Sequence, residues 1–472
     1  MFRWMIRKMT NGVMDTMADH YMKRMMQDPY TENVFSMFAI MQKLTPRAII
    51  EAGIRAESGK VIERTLGSTI VLSDWHKILL NPVHMFRLPT QDDVPIQTGV
   101  TIGPQAKKPL NLEIPILISG MSYGGAISLK AKAALARGAS IAGTATNSGE
   151  ALFINEERRE AKFFIGQYHR GGWMNIDESL RQLDAIEIQL GQGARAAAPS
   201  MGSHQIGEDL RITKKLKPGE NSVIHSRIPG VNKTEDIISL VQNLKNKYGV
   251  PVGIKICATH FMERELDVAV QAGVDYFVVD GAEAGTQGGP TTLQDDVGLP
   301  TLFALARTVQ YLEEHGVKQS ISVIASGGLT TPGHFLKAMA LGADAVYIGS
   351  IALIALLQTQ IAEALPTEPP PQIPLYLGKL KEDLDVEKGA EHLANFLKSS
   401  VEEMKLVAYA LGKTDLAQIN KMDLVTVDRD LAQVLQIDYA GFPPGKQKPS
   451  PGANVTPGAT EMMDPDESLH LQ

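Results

Sequence analysis

Lys255 interrupts the apolar run "VGIKIC". A lysine inside a buried parallel strand is costly unless it meets a negative partner. At a strand's C-terminal end it would point into the mouth of a barrel, where an electron-rich ring, or a carboxylate such as Asp280 or Glu283, could neutralise it. A plain structural ion pair is the alternative reading. Two glycine turns carry a second chemistry. "SGGLTTPG" holds Gly327 and Gly328, and "YIGSIALIALLQTQ" places Gly349 and Ser350 at the opening of a helix. Glycine lets backbone approach a ligand closely, and a helix start offers N–H groups to an anion. Taken together the two turns read as a phosphate holder. No G-x-x-x-x-G-K-[ST] run is present, which argues against a P-loop.

Further loops could complete a site. "GMSYGG" (Gly120, Met121, Ser122) is small enough for a flat ring to lie on it, or is a simple glycine turn. "TATNSGEAL" offers Asn147, Ser148 and Glu150; this Glu could take an amine or ammonium group, or be a solvated loop carboxylate. The glycine-rich "DGAEAGTQGGPTT", with Gly281, Gly285 and Thr286, suits close packing over a cofactor.

These residues need elements to position them. Short β-rich runs alternate with amphipathic stretches from about 96 to 360, the pattern of βα units and a parallel sheet. Eight strands are predicted, at 116–119, 140–143, 185–189, 222–225, 252–257, 275–279, 321–325 and 344–348. Helices are predicted at Thr234–Lys247, Glu263–Ala272, Pro300–His315 and Pro332–Leu341. Eight parallel strands close a (β/α)8 TIM barrel with its chemistry at the strands' C-terminal ends; an open doubly wound sheet is the structural alternative. The fold class is therefore α/β. Residues 1–95 read as a mostly helical N-terminal region and 96–365 as the barrel. Residues 366–440 read as a proline-rich linker, "PTEPPPQIP", followed by C-terminal helices that place Leu393, Phe396, Leu397, Val401 and Met404 on one face. Residues 441–472 read as a disordered tail.

Composition narrows the function. The net charge of −7 is spread without long blocks and gives no support for nucleic-acid binding. The single cysteine, Cys257, excludes an internal disulfide and a thiolate-ligated cluster or zinc site built by this chain alone; no metal ligands are assigned. Low cysteine use fits a cytoplasmic protein. No run approaches the roughly 20 apolar residues of a spanning helix. The methionine-rich start, "MFRWMIRKMTNGVMDTMADHYMKRMM", reads as an amphipathic helix docked on the body or on another subunit; peripheral membrane contact is the alternative.

The stretch from about 97 to 430 resembles the flavin-binding synthase domain of glutamate synthases, especially the stand-alone, archaeal-like members. The matching pieces run in one order: "PILISGMSYGG", "GTATNSGEAL", "AIEIQLGQGAR", "TEDIISLVQNLK", "VGIKI", "VVDGAEAGTQGGPTTLQDDVGLP", "ASGGLTTPG", "LGADAVYIGSIALIAL" and "LDVEKGAEHLANFLKSSVEEMK". The resemblance implies a barrel that binds flavin mononucleotide (FMN). Gly120, Met121, Ser122 and Gln192 would flank the ring, and Lys255 would meet its pyrimidine edge. Gly327, Gly328, Gly349 and Ser350 would hold the phosphate. Glu150 would belong to a 2-oxoglutarate pocket, and Arg195 stands where the family has a lysine for the substrate carboxylate.

The departures are equally specific. "ARAAAPSMGSHQIG" places Met201 at or near a substrate-contacting Gln, which puts 2-oxoglutarate itself in question. The region after the eighth strand lacks the family's cluster cysteines, so no iron–sulfur cluster is expected. The glutamine-hydrolysing domain and the terminal domain of the large synthases are absent from this sequence. The implied activity is oxidoreduction at an amine or imine carbon of an amino acid or its 2-oxo acid, with Lys255 and Glu150 as catalytic residues. Electrons would come from a donor protein or a diffusible donor, and a homo-oligomer is compatible. Two other readings stand beside it. One is a different FMN barrel: a 2-hydroxy-acid oxidase, which needs a histidine at a strand end (His169, His204, His225 or His260), or an isopentenyl diphosphate isomerase. The other is a non-catalytic flavin-carrying subunit.

Overall fold

The computed structural model describes residues 2–33, 35–36, 41–42, 44–201, 211, 214, 216–217 and 222–445. His204, most of the expected tail and the Met201 side chain lie outside the described residues.

Eight parallel strands form the centre: β1 Ile116–Ile118, β2 Ala145–Asn147, β3 Phe163–His169, β4 Ala185–Gln189, β5 Val252–Cys257, β6 Tyr276–Asp280, β7 Ser322–Ser326 and β8 Ala345–Ile348. Their ladder order is β1-β8-β7-β6-β5-β4-β3-β2, so the sheet curls round until its two ends lie side by side. Alternate residues point inward, as the pleat requires. Leu117, Ile165, Tyr276, Val278, Ile324 and Tyr347 fill the lumen and cluster with Ile102, Leu110 and Leu112. Those last three come from the antiparallel strands Val100–Ile102 and Leu110–Leu112. Gly103 N–H donates to Ser322 Oγ at the start of β7, so this hairpin closes the N-terminal end of the barrel.

The barrel has the expected number of strands, but two were misplaced in the sequence. Residues 140–143 end a helix, Leu129–Ile141, instead of forming a strand. Its alanine-rich run favours helix, Ser128 caps it, and the chain turns at Gly143 into β2. Residues 222–225 contribute only Val223–Ile224, paired with Ser200–Met201 in an excursion outside the barrel. The missing strand is β3, "FFIGQYH". Gly166 and the polar Gln167 and His169 break its apolar run, for local reasons. A Cβ at Gly166 would lie 2.3 Å from Leu183 Cδ1, and Gln167 bonds inside the lumen to Glu187.

The surrounding helices begin with α1 Phe2–Gln27 and α2 Pro46–Ser58. Then come α3 Leu129–Ile141, α4 Thr234–Tyr248, α5 Met262–Ala272, α6 Thr301–Glu314, α7 Pro332–Ala340, α8 Ser350–Leu356 and α9 Val386–Ala410. Apolar residues are spread round α1 instead of forming one stripe, and Met14, Met17, Met22 and Met26 are exposed. Along this stretch the expected docking on the body is not what the structure shows. Residues 59–95, expected to be helical, run instead as short strands and a 3-10 turn, Trp75–Lys77. Leu393, Leu397, Val401 and Met404 of α9 are buried. The helix docks so closely that a Cβ at Gly138 of α3 would lie 2.9 Å from Ala390 O. The proline-rich stretch is no free linker: Ile373, Leu375 and Tyr376 are buried. Tyr376 N–H donates to Ala126 O, and Ser128 N–H to Pro374 O. Among the described residues no helix is long and apolar enough to cross a membrane.

Candidate active site

A cavity of about 540 Å³ opens at the C-terminal ends of the strands. The loop after β1 brings Gly120, Met121 and Ser122 to it. Glu150 follows β2, Gln192 and Arg195 follow β4, and Lys255 rises from β5. Gly285 and Thr286 follow β6, Gly327 and Gly328 follow β7, and Gly349 and Ser350 follow β8. Three expected residues sit behind the wall. Asn147 bonds to Tyr347 Oη and to Gly149 N–H. Ser148 Oγ accepts from Gln167 N–H. Gly281 is a packing glycine, whose Cβ would collide with Thr301 Oγ1.

The floor is charged and buried. Lys255 Nζ lies 3.3 Å from Asp280 Oδ2, both side chains about 3% exposed. Burial works against the ammonium. Asp280, with Glu187 behind it, outweighs that and holds the lysine above its ordinary range. Glu283, the other expected partner, does not meet Lys255. Its carboxylate accepts from Thr301 N–H and Ser73 Oγ, capping α6. Below the lysine, Glu187 accepts from Gln167 and from Tyr347 Oη.

One end of the cavity is built from glycine turns. Gly327 and Gly328 have φ of 113° and 69°, conformations that L side chains rarely adopt. Gly349 precedes α8 with no side-chain cap, and a Cβ at Gly285 would lie 2.7 Å from Ser350 Oγ. At Gly120 a Cβ would lie 2.8 Å from Asn147 Oδ1, so the wall there is flat of necessity.

The other end gathers charges. Arg170, fully buried and missed in the sequence because β3 was missed, donates to Glu150 Oε1 (3.1 Å) and Gln189 Oε1 (3.2 Å). Arg195 is 9% exposed, and its guanidinium has no hydrogen-bond or ion-pair partner among the described residues. Its charge is depressed first by burial and favoured by Glu150 and then, more weakly, by Glu63. Lys214, also unforeseen, lies 3.7 Å over the Trp173 ring and donates to Ser222 Oγ; burial lowers its pKa to about 8.

Of the histidines named for hydroxy-acid chemistry, His169 is locked. One ring nitrogen faces Ala151 O at 3.0 Å, the other accepts from Gly171 N–H, and burial pushes its pKa down to about 4. His225 and His260 do not line the cavity. Cys257 is free, and burial, followed by Asp280, pushes its thiol up to about 12.

Another buried group organises the wall. Lys132, on α3, is 1% exposed. Its Nζ meets Glu157 at 2.5 Å and the carbonyls of Met121, Asn147 and Ser148 at 2.9–3.2 Å. It thereby ties the β1 loop to the β2 loop that carries Glu150. A sequence signal existed: Lys132 falls at helical spacing with Leu135, Ala136 and Ala139, on the buried face.

Two outlying segments complete the walls. Residues 63–76 cross the mouth, contributing Glu63, Leu66, Ser73 and Trp75, and Leu375–Leu377 close another side. The first is pinned by Arg64 to Asp295 (2.6 Å) and Glu51 (3.2 Å), and by a two-residue pairing with Gly289–Pro290.

Fold and cavity together define a (β/α)8-barrel protein with its main cavity at the carboxyl ends of the strands. A mutant flavocytochrome b2 with pyruvate bound shares this fold, with a TM-score of 0.50 and 17% identity over 85% of this chain and 88% of that one. Residues 83–414 match the family model described as the conserved region in glutamate synthase, and the chain belongs to that family. It is 34% identical over 335 residues to an archaeal-type glutamate synthase (NADPH) of Thermotoga maritima, covering 68% of this chain and 63% of that protein. A glutamate synthase large subunit-like protein of Rhizobium meliloti is 32% identical over 372 residues, covering 74% of this chain and 84% of that protein. The chain thus spans just under two thirds of the Thermotoga relative.

Proposed function

We propose that this chain is an FMN-dependent oxidoreductase of the glutamate synthase type, acting on the amine or imine carbon of an amino acid or its 2-oxo acid. The observation that carries the reading is Lys255. It is a charged lysine on a buried floor, held by Asp280, between a glycine-built end and a cationic end of one cavity. The residues fit the cofactor. A flat wall at Gly120–Ser122 accepts a ring, and Gly327, Gly328, Gly349 and Ser350 form an unencumbered cradle for its phosphate. Lys255 offers a positive charge to the ring's electron-rich edge. Bound flavin supplies two-electron chemistry, exchanging hydride with a substrate carbon.

The chain's own residues supply placement and charge. Arg195 binds a substrate carboxylate, for which its unpaired guanidinium is suited. Glu150 is oriented by Arg170 toward the reacting end. Met121 and Leu375–Leu377 narrow the mouth and exclude water. Electrons enter from a partner protein or a diffusible donor. Of the histidines named for the hydroxy-acid alternative, the described ones, His169, His225 and His260, do not line the cavity.

The purified chain should be yellow, with about one FMN per polypeptide. Anaerobic titration with NADPH, NADH, reduced ferredoxin and amino acids should bleach the flavin with at least one donor. Flavin-free protein that takes up no added FMN would sink the reading.

A further inference from the structure

Most charges facing the cavity are matched. Lys255 is paired with Asp280, Glu150 with Arg170, and Glu283 caps α6. Arg195, Glu63 and Lys214 are the exceptions, and Lys214 has only the Ser222 hydroxyl and the Trp173 ring. The Arg195 guanidinium is nine-tenths buried, lines the cavity and has no partner among the described residues. Glu63, an exposed residue, lines the same cavity from the crossing segment, and its carboxylate has no hydrogen bond or ion pair among the described residues. The two act on each other electrostatically without closing into contact. The Glu63 carboxylate lies over Gly288, where a Cβ would be 2.9 Å from Oε2, and the neighbouring Arg64 is fixed to Asp295. Opposite charges that line one cavity without pairing leave a slot for a molecule carrying the reverse pair.

We propose that Glu63 receives the ammonium of a zwitterionic amino acid whose carboxylate Arg195 takes, so that the cavity prefers an amino acid to its analogue lacking the amino group. This rests on the reading of the site given above. Glu150, the acid singled out in the sequence for an amine, is already committed to Arg170. Glu63 lies outside residues 83–414, so this selectivity is set by a segment beyond the region that defines the family. An anion without an ammonium satisfies Arg195 but places its own charge near an uncompensated Glu63.

The test uses the FMN-loaded full chain, with L-glutamate and glutarate titrated calorimetrically and by perturbation of the flavin spectrum. Wild type should bind L-glutamate more tightly. Glu63→Gln should weaken L-glutamate about tenfold, the worth of one charge-assisted hydrogen bond, while leaving glutarate unchanged or tighter. Glu63→Lys should reverse the preference, and Arg195→Met should weaken both ligands. An unaltered flavin spectrum in each variant shows that the site is intact. If Glu63→Gln keeps the discrimination, or weakens both ligands equally, this proposal alone falls. If flavin-loaded wild type binds neither ligand, this proposal falls and the reading of the site stands; protein that takes up no FMN overturns both.

Discussion

Replacing Lys132 by Met tests whether one buried ammonium holds the active-site wall together. Methionine keeps the apolar stem and removes the charge. It leaves Glu157, which is fully buried, without its 2.5 Å partner, and takes a donor from the carbonyls of Met121, Asn147 and Ser148. Removing one member of a buried pair costs about 3–5 kcal/mol. Burial already pushes Glu157 up to about 7 against the opposing pull of Lys132. Without the lysine it takes a proton instead of remaining charged, which keeps the loss near the lower figure, about 3 kcal/mol. The sign with pH follows. A carboxyl whose folded pKa is raised contributes stability that is fully present below its unfolded value and lost as pH rises through the folded one. The variant's folded pKa lies above that of wild type, so its deficit should be larger at pH 8 than at pH 6. Urea unfolding followed by circular dichroism, with flavin content measured alongside, reads both effects. Adding Glu157→Gln should recover part of the loss. A deficit below about 1 kcal/mol, or one equal at both pH values, would refute the reasoning.

Lys255→Met should strand Asp280 and lower the two-electron flavin potential by about 30 mV or more, the equivalent of about 1.4 kcal/mol, as read by spectroelectrochemistry. Gly328→Ala forces a side chain into a φ of 69° and to within 2.9 Å of Glu283 Cβ, so the purified protein should carry less flavin, measured by its visible-to-ultraviolet absorbance ratio. His169, held near 4, contributes stability that is present above about 6.5 and lost as pH falls through about 4, amounting to about 3 kcal/mol. His169→Gln should therefore flatten the acid limb of the stability profile.

The sequence showed the barrel wherever a strand's burial was apolar throughout, as in β1 and β8, and the helices wherever one face was. It hid β3, because Gln167 and His169 are inward-facing polar residues whose partners, Glu187 and Ala151, lie on other elements. With β3 went Arg170. The glycine turns and Lys255 were legible because each breaks a local rule that only a ligand or partner explains. The crossing segment 63–76 was not. Its hold on the cavity comes from Asp295, Glu283 and Ser350, and no periodicity in "ERTLGSTIVLS" announces partners so far along the chain. The prolines at 366–374 suggested freedom, yet a segment without helix can still pack when, like Ile373 and Tyr376, it supplies its own apolar anchors.

The crossing segment also sets an order of events during synthesis. Arg64 leaves the ribosome 231 residues before its partner Asp295. For that interval the stretch bearing Glu63, Leu66 and Ser73 has no surface to lie on, while its exposed leucine, isoleucine and valine side chains are free to associate wrongly. The cavity can acquire its full wall only after β8 and Leu375–Leu377 have emerged. Flavin added to a barrel fragment cut to residues 83–414 would therefore meet a site without the wall that residues 63–76 supply.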